Sequence, residues 1–206
     1  MGYVSASSAD GNTANIKDLR FVEKLRNLTG IVFEGMPISD LSSLKNLKSL
    51  RRIVVNSINA PDNIASIQVL ETLPNLVDLA LDNLKKLKRP EQTFNKLKNL
   101  KILSARGRYI KDWNFIKNLN KLEKLTTSPD ADFPTISQLK TLKRLIVMYD
   151  SASGNQLPGL DQFKDFQHLE KLSIWFFNTK RNISDNDLNQ LRAMLPNTEV
   201  VVTGGN

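Results

Sequence analysis

At 206 residues the chain can bury a sizeable core, and a composition of 40% hydrophobic and 24% charged residues with 9 Gly and 8 Pro excludes the disordered and collagen-like classes. The absence of cysteine excludes disulfides, thiolate nucleophiles and cysteine-based zinc sets, and says nothing of compartment. An excess of 29 Lys and Arg over 21 Asp and Glu leaves a formal charge of +8, which favours acidic partners without identifying one.

Residues 1–15, MGYVSASSADGNTAN, are small and polar, and lack both the basic start and the apolar stretch of a signal peptide. They read as a flexible leader. As written the chain reads as cytoplasmic; it would be secreted or surface-exposed if Met1-Gly2 stood in place of a removed signal peptide. No apolar run reaches the roughly 18 residues of a membrane helix, so no membrane insertion is expected. Residues 16–27 place Ile16, Leu19, Val22 and Leu25 at three-residue intervals, which predicts a helix capping the first open end of a repeat array.

From Leu25 onward a pattern L-x-x-L-x-x-L-x-L recurs eight times. The copies are LRNLTGIVF, LKSLRRIVV, LPNLVDLAL, LKNLKILSA, LNKLEKLTT, LKTLKRLIV, FQHLEKLSI and LPNTEVVVT, starting at Leu25, Leu47, Leu73, Leu97, Leu119, Leu139, Phe166 and Leu195. In the first three apolar columns only Thr198 is neither aliphatic nor aromatic. A fourth column three residues upstream holds Val22, Leu44, Leu70, Phe94, Ile116, Ile136 and Phe163. Taking each fourth residue as a strand start, the periods run from about 20 to about 29 residues, a spacing at which each unit stacks on the next because none can bury its apolar side alone.

These columns resemble the leucine-rich-repeat family over residues 16–206, and GIVFEGMPISDLSSLKNLKSLRRIVV resembles the short repeat of internalin-like bacterial members. The resemblance implies an α/β solenoid: a right-handed horseshoe with about eight short parallel strands on its concave face and helices or 3-10 turns on its convex face. It forms a single domain over 16–206 that ends in a degenerate repeat at 195–206. Helices are expected over Asp62–Thr72 and over Asp185–Met194, the latter with Ser184 as cap. The family's turn asparagine is missing: Met36, Ile58, Leu84, Arg108, Asp130, Asp150 and Phe177 stand in its place, and Asp130 and Asp150 are the expected substitutes in two repeats.

Catalytic chemistry has little to work with. His168 is the sole histidine and sits in a pre-strand turn where other copies carry Asn27, Asn75, Asn99 and Asn197. The pairs Asp130-Asp132 and Asp185-Asp187 lack calcium-loop spacing and read as turn or cap residues. The basic run LKKLKRP, from Leu84, reads as a solvated loop. No enzyme activity, cofactor or metal is expected.

The concave strand sites are the remaining candidates. Arg52, Arg106 and Arg144 form a basic middle, and Met148, Tyr149, Trp175 and Phe176 form an aromatic end by register alone. The alternative for Trp175 and Phe176 is packing beneath the loop SASGNQLPGLDQ. The leading reading is a monomeric protein-binding module: Arg106 and Arg144 steer an acidic protein surface, while Tyr149 and Trp175 bury contact area. Family resemblance implies bacterial adhesion, effector or toxin-neutralising roles. The other reading is nucleic-acid or polyanion binding, against which Asp78, Asp82, Glu123 and Glu170 on the same face argue.

Overall fold

The protein is described by a computed structural model covering residues 2–7, 19–56, 64–84, 86–106, 109–150, 159–177 and 183–204. Among them, nine parallel strands form one open sheet in strict chain order: β1 Gly2–Ser7, β2 Leu28–Glu34, β3 Arg52–Asn56, β4 Asp78–Asp82, β5 Ile102–Arg106, β6 Lys124–Thr127, β7 Arg144–Asp150, β8 Lys171–Phe177 and β9 Glu199–Gly204. The architecture is an α/β leucine-rich-repeat solenoid. Parallel neighbours need a crossover, and each repeat supplies one in about twenty to thirty residues.

The leucine columns explain the core. Leu50, Leu100, Leu122 and Leu142 are wholly buried, as are Ile53, Leu79, Leu103, Leu125, Leu145 and Leu172, the column three residues on. The upstream column is sealed as well, and its aromatic members pack in tilted pairs on phenylalanines of the neighbouring repeat: Phe94 with Phe115 at 5.2 Å and Phe163 with Phe133 at 5.1 Å. Each fully buried side chain of this size contributes about 1.5–3 kcal/mol, and stacking repeats is what makes that burial available.

The crossovers are mostly single 3-10 turns, at Ser42–Leu44, Gln68–Thr72, Asn114–Asn118 and Leu160–Phe163, with short helices α1 Pro90–Phe94 and α2 Phe133–Ile136. The helix expected over Asp62–Thr72 is instead the 3-10 segment Gln68–Thr72 within the described residues. The longest helix is α3, Asp185–Met194, where Ser184 Oγ accepts the Asp187 N–H at 3.1 Å. Asp132 likewise caps α2, accepting the Thr135 N–H at 3.1 Å.

The N-terminal end differs from expectation. Gly2–Ser7 is not a leader but an edge strand, paired with β2 from Tyr3↔Gly30 to Ser7↔Glu34. The capping helix expected over 16–27 reduces to one 3-10 turn, Arg20–Val22, in the described part. Leu19 and Val22 reach the core, whereas Phe21 and Leu25 stay exposed. Backbone pairing offered by the open edge of β2 accounts for a strand forming where side-chain patterning is weak.

The C-terminal repeat is out of step with the others by one residue. Val200, not Val201, aligns with Leu172, and it is Val200 that is buried. A slip of one residue exchanges the two faces of a strand, so Val201 and Thr203 share the solvent side with Ser173 and Trp175.

The sites of the missing turn asparagine are filled in different ways. Met36 and Leu84 fill their turns as buried apolar groups, while Asp130 is exposed; the side chain of Asp150, and Ile58 and Arg108, lie outside the described residues. Adjacent repeats are tied at the pre-strand turns. Asn75 Nδ2 donates to the Lys48 carbonyl at 2.8 Å, Asn99 Nδ2 to the Pro74 carbonyl at 3.0 Å, and His168 Nε2 to the Leu139 carbonyl at 3.1 Å. The Lys48, Pro74 and Leu139 carbonyls thus each find a side-chain partner one repeat away.

Candidate binding face

Side chains alternate along each strand, so one set lines the core and the other lines the open face of the sheet. Register then sets out the open face in rows. One row runs Arg52, Asp78, Ile102, Lys124, Arg144, Lys171, Glu199; the next is Val54, Ala80, Ser104, Thr126, Ile146, Ser173, Val201. A third places Asp82 beside Arg106, and Met148 beside Trp175 and Thr203.

The first and third rows are largely charge-paired. Arg52 Nε lies 3.4 Å from Asp78 Oδ2, and Lys171 Nζ lies 2.7 Å from Glu199 Oε1. Just upstream, Lys101 pairs with Glu123 at 3.4 Å and Lys143 with Glu170 at 3.3 Å. Burial raises the Asp78 carboxyl pKa above its usual value, against the opposing pull of Arg52 and Lys124.

Arg106 is not a free steering charge. Its guanidinium donates to Asp82 Oδ2 at 3.0 Å, its backbone N–H donates to Asp82 Oδ1 at 3.2 Å, and Ser104 Oγ donates to the same carboxylate at 2.9 Å. Asp82 is buried, so this pair is an internal fixture of the sheet. Arg52 is exposed but shared with Asp78. Arg144 is exposed beside Lys124 and Lys171, and among the described residues neither Arg144 nor Lys124 has an ion-pair partner.

The aromatic end divides between two faces. Trp175 is 41% exposed and adjoins Met148 on the open face, but Tyr149 and Phe176, at 3% and 5%, lie on the core side. The alternation that buries Leu145 and Val147 continues to Tyr149, and likewise from Ile174 to Phe176, because these strands run two residues past the shared repeat core. The expectation that all four side chains form one solvent-facing cluster is therefore corrected. Phe177, 51% exposed, joins Trp175 instead, and carrying the alternation one residue further along the sequence finds it. Residues 151–158 of the loop considered as a cover lie outside the described residues.

Elsewhere, His168 lines a recess with Pro134, Ser137, Lys140, Lys164, Asp165 and others. Burial, then Lys140, lowers its imidazole pKa, with the Leu139 bond opposing. The Ser137 hydroxyl donates to the Pro134 carbonyl at 2.9 Å rather than to His168. In the basic run from Leu84, Lys85 lies outside the described residues, and Lys86, Lys88 and Arg89 are exposed.

Comparison with solved structures agrees with this geometry. Internalin C2 of Listeria monocytogenes matches 77% of this chain and 66% of its own length at 21% identity and a TM-score of 0.58. The fold is that of a leucine-rich-repeat protein resembling the internalins. A second internalin of that organism, inlF, matches 92% of this leucine-rich-repeat chain and 52% of its own at 22% identity and a TM-score of 0.61. A TLR13–ssRNA13 complex matches 88% of this chain and 26% of TLR13 at 20% identity and a TM-score of 0.56. The chain thus spans about two thirds of one internalin and about half of the other. No protein-family model matches the sequence, and no curated protein does.

Proposed function

We propose that this leucine-rich-repeat chain is a non-enzymatic binding module that seats an acidic segment of a partner protein on the open face of the sheet, across β6 to β9. The observation that carries the reading is the presence of two kinds of surface on one face of β6 to β8. Lys124 and Arg144, without ion-pair partners among the described residues, stand two rows from exposed Trp175 and three from exposed Phe177 on the same face of the sheet, with Ile146 and Ser173 in the row between. An exposed Trp on a rigid strand gives contact area at low entropy cost, and an Arg without an ion-pair partner on the same face selects the sign of the partner.

Single-stranded RNA binding is the competing reading, because TLR13 is solved with ssRNA13. The carboxylates of Asp78, Glu123, Glu170 and Glu199 on the face oppose a phosphate chain, and a short acidic peptide segment needs only the β6–β8 cations.

Affinity capture followed by titration of the captured partner tests the proposal. Trp175→Ala/Arg144→Ala is expected to weaken binding by roughly thirtyfold or more. A partner retained equally by both forms overturns it. So does RNA binding that persists at physiological salt and is lost in the same variant.

A further inference from the structure

The turns that lead into the strands form a second surface, separate from the sheet face. In each of seven repeats, four turn positions flank the first leucine column, from Glu23, Lys24, Arg26 and Asn27 to Lys164, Asp165, Gln167 and His168. These positions hold ten Lys or Arg side chains against three carboxylates, Glu23, Glu71 and Asp165, a net of seven of the chain's eight formal positive charges. All ten cations are exposed.

Little neutralises them. Among the described residues only Lys96 of the ten has an ion pair, with Glu71 at 2.8 Å. Others are held by neutral acceptors: Lys48 Nζ donates to the Lys45 and Thr72 carbonyls at 2.7 and 2.8 Å, Lys121 Nζ to Asn99 Oδ1 at 2.8 Å, and Lys140 Nζ to the Ser137 carbonyl at 3.0 Å. Such bonds fix an ammonium group in place and leave its charge uncancelled. The sheet face is the reverse, with its cations mostly matched to acids on neighbouring strands.

In-register strands set their preceding turns side by side, about 5 Å apart from repeat to repeat, so the cations make one continuous band along the edge. At the band's first end Phe21 and Leu25 are exposed, and Tyr3 lines a recess with Leu25, Lys24 and Arg26.

We propose that this turn edge docks on an anionic bilayer surface, with the lysine band on the headgroups and Phe21 and Leu25 at the interface. Three features choose the bilayer over a polyanion chain. Nine of the ten cations are lysine, a hydrated point charge suited to diffuse attraction, rather than the forked arginine that seats individual phosphates. The flanking positions carry no aromatic ring besides the His168 imidazole, which leaves no stacking platform for bases. An exposed apolar end has a place at a lipid interface and none on a duplex or a sulfated glycan. Clustered lysines near an anionic leaflet add up in the same way. This docking is independent of the partner site on the sheet face.

Co-sedimentation of the full chain with vesicles of phosphatidylcholine alone, and with about a third phosphatidylserine, tests it. Binding is expected only to the anionic vesicles and to fall as salt rises. Lys98→Glu/Lys117→Glu/Lys140→Glu is expected to weaken it at least roughly tenfold, while Lys124→Glu/Arg144→Glu/Lys171→Glu, the same charge change on the sheet face, costs much less. No binding to anionic vesicles, equal binding to neutral ones, or equal losses in the two variants overturns the proposal. So does retention by heparin or duplex DNA with none by vesicles. Circular dichroism melts confirm that both variants fold, and the wild-type salt series reads the electrostatic share without any substitution.

Discussion

Tyr149 stacks on Phe176 with ring centroids 5.0 Å apart and planes at 23°, on the core side of β7 and β8, yet its hydroxyl is buried without a hydrogen-bond partner among the described residues. The ring stabilises and the oxygen does not. Tyr149→Phe keeps the stack and removes the orphan, so stability is expected to stay level or rise by up to about 1 kcal/mol. Tyr109 is the opposite case, because its hydroxyl donates to the Leu81 carbonyl. Tyr109→Phe should lose about 1 kcal/mol. Urea unfolding of the two variants reads the difference, and equal shifts of the same sign contradict the account.

Both phenols also set an alkaline limit. Burial raises the pKa of Tyr149, and burial followed by the Asp82 charge raises that of Tyr109, with Arg106 opposing. A folded pKa above the unfolded value of about 10 means the contribution is whole below that pH and is lost as pH rises beyond it. Phenolate absorbance followed together with circular dichroism should show these two tyrosines ionising only as the sheet unfolds. Ionisation of both in a still-folded protein would refute this.

Ion pairs on the open face are unequal. The Asp82 side chain is 9% exposed and Arg106 20%, whereas Lys143 and Glu170 are each more than half exposed. Arg106→Ala strands a buried carboxylate that keeps only Ser104 and a backbone N–H, and should cost about 3 kcal/mol. Lys143→Ala removes a solvated pair and should cost at most about 1 kcal/mol. Denaturant midpoints for the two variants give the order, and the reverse order would show that Asp82 is compensated by something other than Arg106.

The solenoid is legible in the chain because one burial requirement recurs in every repeat: Leu50, Leu100, Leu122 and Leu142 repeat one position, and all are sealed. The pairing of Met148 with Trp175 follows from the same register. The motif does not place Tyr149 and Phe176, because strand length past the shared core is set by neighbouring strands. Arg106 looks like a free cation until Asp82 is seen one strand away at the matching site. Neither β1 nor the slip at Val200 leaves a local signal, since each is decided by a partner about 26 to 28 residues distant in sequence.

That dependence gives β1 a specific weak point. A Cβ added at Gly30 would stand 2.5 Å from two ring carbons of Tyr3, the residue paired with it across the edge. The clash is with an exposed ring on an edge strand, so the ring and its strand can yield while the core side of β2, with Ile31 and Phe33 buried, stays in place. Gly30→Ala is therefore expected to abolish amide-exchange protection over Gly2–Ser7 and to change the global unfolding free energy by no more than about 1 kcal/mol. Protection retained in β1 would mean the strand is anchored by Val4 and its backbone pairing rather than by the close seat of Tyr3 on Gly30. A large global loss would mean that β1 is part of the cooperative core and not an edge that can open on its own.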